Sequence, residues 1–224
     1  DRSVSRGLGD VYKRQVNNVD KLNEVKSIIE EKGSVCETFI GDMGNYSDVQ
    51  KMFDMCLQRF GQVDVLINNA GISIVGLFQD MGENEWHRIC NTNIDSVFNC
   101  CHFAVKDMMK RHCGKIINIS SVWGLYGASC EVAYSATKGA VNSFTKALAK
   151  ELAPSGIQVN AVACGAIDTE MNGHLSDDDK ASLAEEIPAG RFGSPQEVAK
   201  LVKSLSGMNS YLTGQIITLD GGWI

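Results

Sequence analysis

The feature that most constrains this chain is an order repeated along it: short valine- and isoleucine-rich runs alternate with longer segments whose apolar residues recur every three or four positions. The runs fall at 35–40, 63–67, 115–120, 157–163 and 215–219, and the periodic segments at 21–32, 47–60, 85–111, 134–153 and 195–205. Continuous apolar runs of this length suit strands buried on both faces, and the segments between them are long enough to be crossover helices. The order therefore predicts an α/β doubly wound domain: a parallel sheet with helices on both faces. In 21–32 the stripe is Leu22, Val25, Ile28 and Ile29, with Asp20 as the expected cap and Gly33 as the stop. Ser194-Pro195-Gln196-Glu197 has the form of a capping box with proline at the first helical position.

Sheets of this kind bind ligands beyond the carboxyl ends of their strands. Asp42, Asn68, Ser121 and Gly165 all fall at such ends. Ser121 closes the apolar run before it, and Tyr134 and Lys138 stand four apart in a helical segment, so they share a face. An ammonium beside a phenol is expected to lower the phenol's pKa, and a nearby serine hydroxyl is placed to hold a carbonyl oxygen for protonation. That combination suits reduction of a ketone or oxidation of an alcohol. Tyr-x-x-x-Lys alone is more often a solvated helix face, so its context decides.

Size and charge narrow the classes. The 224 residues suffice for one domain with a sizeable core, and no linker composition divides them. A formal net charge of -6 argues against a nucleic-acid surface, and no run approaches the roughly 20 apolar residues of a membrane span. Eight cysteines with no Cys-x-x-Cys, and four histidines without ligand spacing, point to thiols packing as small apolar groups in a reducing cytoplasm and to no metal site. Residues 1–15 differ from the rest. They are charged, lack a buried strand, and resemble a translated sequencing-adaptor segment, so they are set aside as a non-native or disordered leader, leaving 16–224 as the domain. The acidic stretch 169–187 is expected to form one or two short helices over the site, with Asp177, Asp178 and Asp179 facing solvent.

Taken in order, Asn68-Asn69-Ala70-Gly71, the Asn-Thr-Asn-Ile-Asp-Ser around Asn93, Ile119-Ser120-Ser121, Tyr134-Ser135-Ala136-Thr137-Lys138, the run 159–169 and Thr213 to Gly222 resemble the short-chain dehydrogenase/reductase superfamily over nearly everything from Val16 onward. The resemblance implies a Rossmann-type fold and assigns roles. Tyr134 would donate the proton, Ser121 would bind the carbonyl oxygen, and Lys138 would hold the nicotinamide ribose and lower the tyrosine pKa. Asn93, in a locally distorted helix, would complete a proton relay to Lys138. Asp42 would contact adenine, Asn69, Ala70 and Gly71 the ribose, and Ile167 and Thr169 the carboxamide. The cofactor implied is NADPH, with NADH as the other possibility. Within the superfamily the chain is most similar to 3-oxoacyl-[acyl-carrier-protein] reductases, while 123–138 also resembles the elongation factor P 5-aminopentanone reductase; a homo-oligomer is implied in either case. A non-catalytic, interaction-only relative is the reading from another class.

Two departures from the family pattern stand out. Cys164 replaces the usual proline before Gly165, freeing a backbone dihedral. The opening strand and glycine-rich phosphate turn have no counterpart except Arg6-Gly7-Leu8-Gly9 in the leader, so the expectation is an incomplete domain that binds NADPH poorly.

Overall fold

The apolar runs pair as their β-branched content requires. In the computed structural model, which describes residues 18–173, 175–207 and 211–224, they form a four-stranded parallel sheet with β1 (Val65–Asn68), β2 (Gly114–Ser121), β3 (Ile157–Cys164) and β4 (Ile216–Leu219) in chain order. The register sets Ser121 opposite Cys164 and Cys164 opposite Leu219, so these strands end at one edge. The leader, Arg6-Gly7-Leu8-Gly9 and Val16 lie outside the described residues.

Helices cover both faces. Among the described residues eight α-helices occur, two before each strand: α1 (Asn18–Glu31), α2 (Tyr46–Phe60), α3 (Glu83–Cys90), α4 (Ser96–Arg111), α5 (Trp123–Tyr126), α6 (Val132–Leu152), α7 (Asp177–Glu186) and α8 (Pro195–Gly207). Alternate strand residues go to opposite faces. Ile116 and Val159 pack with Val97, Ala104, Met108 and Val141 of α4 and α6, while Ile117 and Val162 pack with Val202 and Leu205 of α8. The core is thus two apolar layers sandwiching β2 and β3.

Local signals fix the helix ends. Asn45 caps α2 by accepting from the Ser47 and Asp48 backbone N–H groups, and Gly61 closes it at φ 82°. The Ser194–Glu197 box forms at α8, where Glu197 accepts from the Ser194 N–H at 2.8 Å and returns its own N–H to the Ser194 hydroxyl. In 169–187 the helix is α7, opened by a Ser176–Asp179 box, after a short 3-10 turn at Glu170–Asn172.

Two expectations are corrected. Helix α1 starts at Asn18, so Asp20 lies in its first turn and does not cap it. The helix over 85–111 is α3 and α4 joined by a π turn, Asn91–Asp95, which is the distortion the resemblance implied at Asn93. Residues 35–40 have no regular structure and join no ladder. A strand needs a neighbour about 4.8 Å away. Here a cleft lined by Phe39, Met43, Met52, Phe53, Cys56 and Leu66 lies between that segment and β1.

Candidate active site

Strand β2 delivers Ser121 and helix α6 delivers Tyr134 and Lys138 to the same point. Tyr134 is 8 % exposed and Lys138 4 %, so the helix face they share is buried. The close approach of α5 to α6 depends on Gly124: a Cβ there would meet the Lys138 carbonyl carbon at 2.6 Å. Asn142 reinforces the contact, donating to the Gly124 carbonyl at 3.0 Å.

The Ser121 hydroxyl is hydrogen-bonded to the Tyr134 phenol and also accepts from the Trp123 N–H at 3.2 Å. Lys138 Nζ donates to the Ile119 carbonyl at 2.8 Å and lies 5.7 Å from the Tyr134 ring centroid. This geometry corrects the sequence expectation for the phenol. Burial pushes the Tyr134 pKa up to about 12, the Ser121 bond opposes that rise, and the charges of Glu131 and Cys164 add to it. Lys138, whose Nζ is engaged by the Ile119 carbonyl, is not among the groups that act on the phenol. Burial brings Lys138 itself down to about 8, against a small upward pull from Cys164. At neutral pH Tyr134 is therefore a protonated donor.

Asn93 sits in the π turn, 1 % exposed. Its side chain clamps Ile72: Oδ1 accepts from the Ile72 N–H at 2.8 Å, and Nδ2 donates to the Ile72 carbonyl at 2.9 Å and to Thr137 Oγ1 at 3.1 Å. The extra residue of a π turn is what swings this amide off the helix and onto the end of β1. Gly71 lies in the same corner. A Cβ on it would stand 3.3 Å from Lys138 Nζ and 3.5 Å from Asn93 Oδ1. Gly71, Asn93 and Lys138 are therefore brought together, and Asn69 and Ala70 line the cleft beside β1.

The remaining expected cofactor residues stand apart from this cluster. Asp42 receives the Gly44 N–H at 3.0 Å and Asn91 Nδ2 at 3.2 Å, which ties its turn to the start of the π turn. Ile167 and Thr169 follow β3 on a loop stitched to Gly193, and exposed Thr169 donates to the Ile167 carbonyl at 3.4 Å.

Sequence reasoning missed Thr137 and Glu131, and marked Cys164 only for its backbone. Thr137 fixes Asn93, while its own hydroxyl donates to the Tyr134 carbonyl at 2.9 Å. Cys164 is close enough to Lys138 and Tyr134 to act on both electrostatically, and its own thiol is pushed up to about 11 by burial. Glu131 accepts from Ser73 Oγ at 2.5 Å beside the phenol. Its only signal in the sequence was position, three residues before Tyr134 at the start of α6. Among the described residues no cluster of His, Cys, Asp or Glu could hold a metal, and no helix is long and apolar enough to cross a membrane.

A family model described as short chain dehydrogenase matches residues 11–180. The 3-oxoacyl-[acyl-carrier-protein] reductase of Thermotoga maritima is 39 % identical over 217 residues, which is 96 % of this chain and 86 % of that protein. Two solved structures superpose on the fold. One, ElxO with NADP bound, is 33 % identical with a TM-score of 0.84, covering 94 % of this chain and 86 % of its own. The other, a gluconate 5-dehydrogenase from Burkholderia cenocepacia in complex with NADP and tartrate, is 31 % identical with a TM-score of 0.86, covering 93 % and 83 %.

Proposed function

The chain belongs to the short-chain dehydrogenase family, and from that premise we propose that it reduces a ketone to a secondary alcohol with NADPH. The observation that carries the reading is the buried Ser121–Tyr134 hydrogen bond, with Lys138 on the same helix face. The cofactor end fits such a group: Gly71 leaves room where a Cβ would crowd Lys138 Nζ, and Asn69 and Ala70 line the adjoining cleft. Lys138 and Asn69 to Gly71 would hold the nicotinamide riboside, with Ile167 and Thr169 towards its carboxamide and Asp42 towards adenine. When bound, NADPH supplies the hydride.

The protein's own groups handle the proton. Tyr134, kept protonated at neutral pH by burial, donates to the carbonyl oxygen, and the Ser121 hydroxyl orients that oxygen by a second hydrogen bond. Lys138, whose pKa of about 8 lies near physiological pH, supports the return of a proton to the phenol from the Asn93 side of the pocket. The relative's name makes 3-oxoacyl groups on acyl-carrier protein the first substrate class to test, and a ketone borne on elongation factor P the second. A homo-oligomer in the cytoplasm completes the reading.

NADPH oxidation followed by absorbance, with an acetoacetyl thioester and with the elongation-factor ketone as substrates, tests it. Turnover of a ketone by the wild type, reduced on the order of 10²- to 10⁴-fold in Tyr134→Phe, is the expected result. Equal rates for the two proteins would overturn it.

A further inference from the structure

Residues 220–224 lead back to the candidate active site. Asp220 organises the turn after β4: its Oδ1 accepts from the Gly222 N–H at 3.0 Å and its Oδ2 from the Ile224 N–H at 3.1 Å, while Gly221 and Gly222 take φ of 70° and 82°. Two consecutive left-handed residues reverse the chain here, a shape that side chains at those positions would oppose. The turn is gripped on two sides. A Cβ on Gly165, just past β3, would meet the Asp220 Cα at 2.7 Å, and one on Gly221 would stand 2.9 Å from Ile187 Cγ2 and 3.0 Å from Ala189 Cβ. The Ala189 N–H also donates to the Gly221 carbonyl at 3.1 Å, which fastens the turn to the segment leaving α7.

This fixed turn presents Trp223. Its ring meets that of Trp123 edge to face, with centroids 4.9 Å apart and planes at 62°. Aromatic pairs of this kind favour one relative orientation over others. Trp123 opens α5, and its backbone N–H is the donor to the Ser121 hydroxyl at 3.2 Å. The residue that Trp223 braces is therefore one that holds the serine. That N–H takes a lone pair of Oγ and so limits where the hydroxyl proton can point. A helix of four residues has a single turn of hydrogen bonds, and its position is set by what packs on it. Helix α6 approaches at Gly124, and the Trp123 indole packs against the cluster of Ile89, Ala133 and Tyr134 and against Trp223.

We propose that Trp223 is a positioning residue: by bracing the Trp123 indole it fixes the backbone N–H that aims the Ser121 hydroxyl at the substrate oxygen, and the turn at 220–224 anchors it for that task. The inference rests on ketone reduction as the reaction and adds a residue that keeps its serine aimed.

The alternative is that Trp223 only covers apolar surface beside α5. Labelling the tryptophans alone with nitrogen-15 separates the two, because the chain has three, Trp86, Trp123 and Trp223. The Trp86 N–H, bonded to the Gly82 carbonyl at 3.1 Å at the start of α3, serves as the internal control. Amide exchange by nuclear magnetic resonance and ketone reduction with NADPH are measured on wild type, Trp223→Ala and Trp223→Phe. In Trp223→Ala the Trp123 amide should exchange on the order of tenfold faster with the Trp86 amide unchanged. In the same variant kcat should fall on the order of tenfold with KM held within about threefold, since the aimed hydroxyl acts on the transition state. Trp223→Phe keeps a ring against Trp123 and should recover most of both. An unchanged Trp123 amide, a parallel change at Trp86, or an amide response with no loss of kcat would overturn the proposal. The amide response in a protein whose wild type reduces no ketone would sustain the brace while refuting ketone reduction, so the two failures are distinguishable.

Discussion

A lysine enclosed by protein and turned towards a strand carbonyl sits at the centre of the site, and its titration sets a measurable property of the fold. Lys138 falls from 10.5 to about 8 on folding, a difference worth about 3 kcal/mol. Between those two pH values the unfolded chain holds a proton that the folded chain has released, so this residue makes stability rise with pH across that window. Tyr134 acts in the opposite sense at higher pH: its rise from 10.0 to about 12 means the folded chain keeps a proton the unfolded chain has lost, and stability falls there. Urea unfolding from pH 7 to 10 should show the rise in wild type and a flatter profile in Lys138→Met; parallel profiles would contradict the assignment. Tyr134 and Lys138 were readable from their spacing and Ser121 from its place at a strand end. The sign of the phenol's shift was not, because burial decides it, and how completely the packed elements enclose the phenol is not written in the spacing.

At the scale of elements, the π turn and the α5–α6 contact carry the site. Asn93→Ala leaves both polar groups of Ile72 and the Thr137 hydroxyl without this partner. It should cost about 2–3 kcal/mol in urea unfolding, the scale of buried groups left unpaired, with activity lost as well. Gly124→Ala places a methyl against α6 backbone that cannot move aside as a flexible side chain would. A loss of about 1–3 kcal/mol together with reduced turnover is expected, whereas a surface alanine such as Ser143→Ala should leave both unchanged. Helix ends were legible wherever one residue decides them, as at Gly33 and the Ser194–Glu197 box. The 35–40 segment was not, since its apolar alternation states a willingness to pair while the ladder depends on what stands beside it. Asn93 shows the same limit: its family motif marked the position, and only the neighbouring backbone of Ile72 explains why the helix widens there.

At the scale of the molecule, β1 is bonded to β2 on one side and faces the cleft on the other, whereas β2 and β3 are bonded on both sides and almost wholly buried. Amide exchange measured by mass spectrometry should therefore be faster in peptides covering 65–68 than in those covering 115–120 or 157–163. Equal protection would mean that the β1 edge is closed in solution. The alternation of runs in the sequence announced the layered architecture, but neither the cleft nor the neighbour of each strand could be read from it. The strand order itself has a bearing on how the protein is made. β1, β2, β3 and β4 lie side by side in the order of synthesis, so every pairing among them joins strands that are neighbours in the chain, separated only by a pair of helices. Ser121 lies on the second of these strands and Tyr134 and Lys138 on the long helix that follows it, so the three residues of the candidate site are all synthesised before β3 and β4.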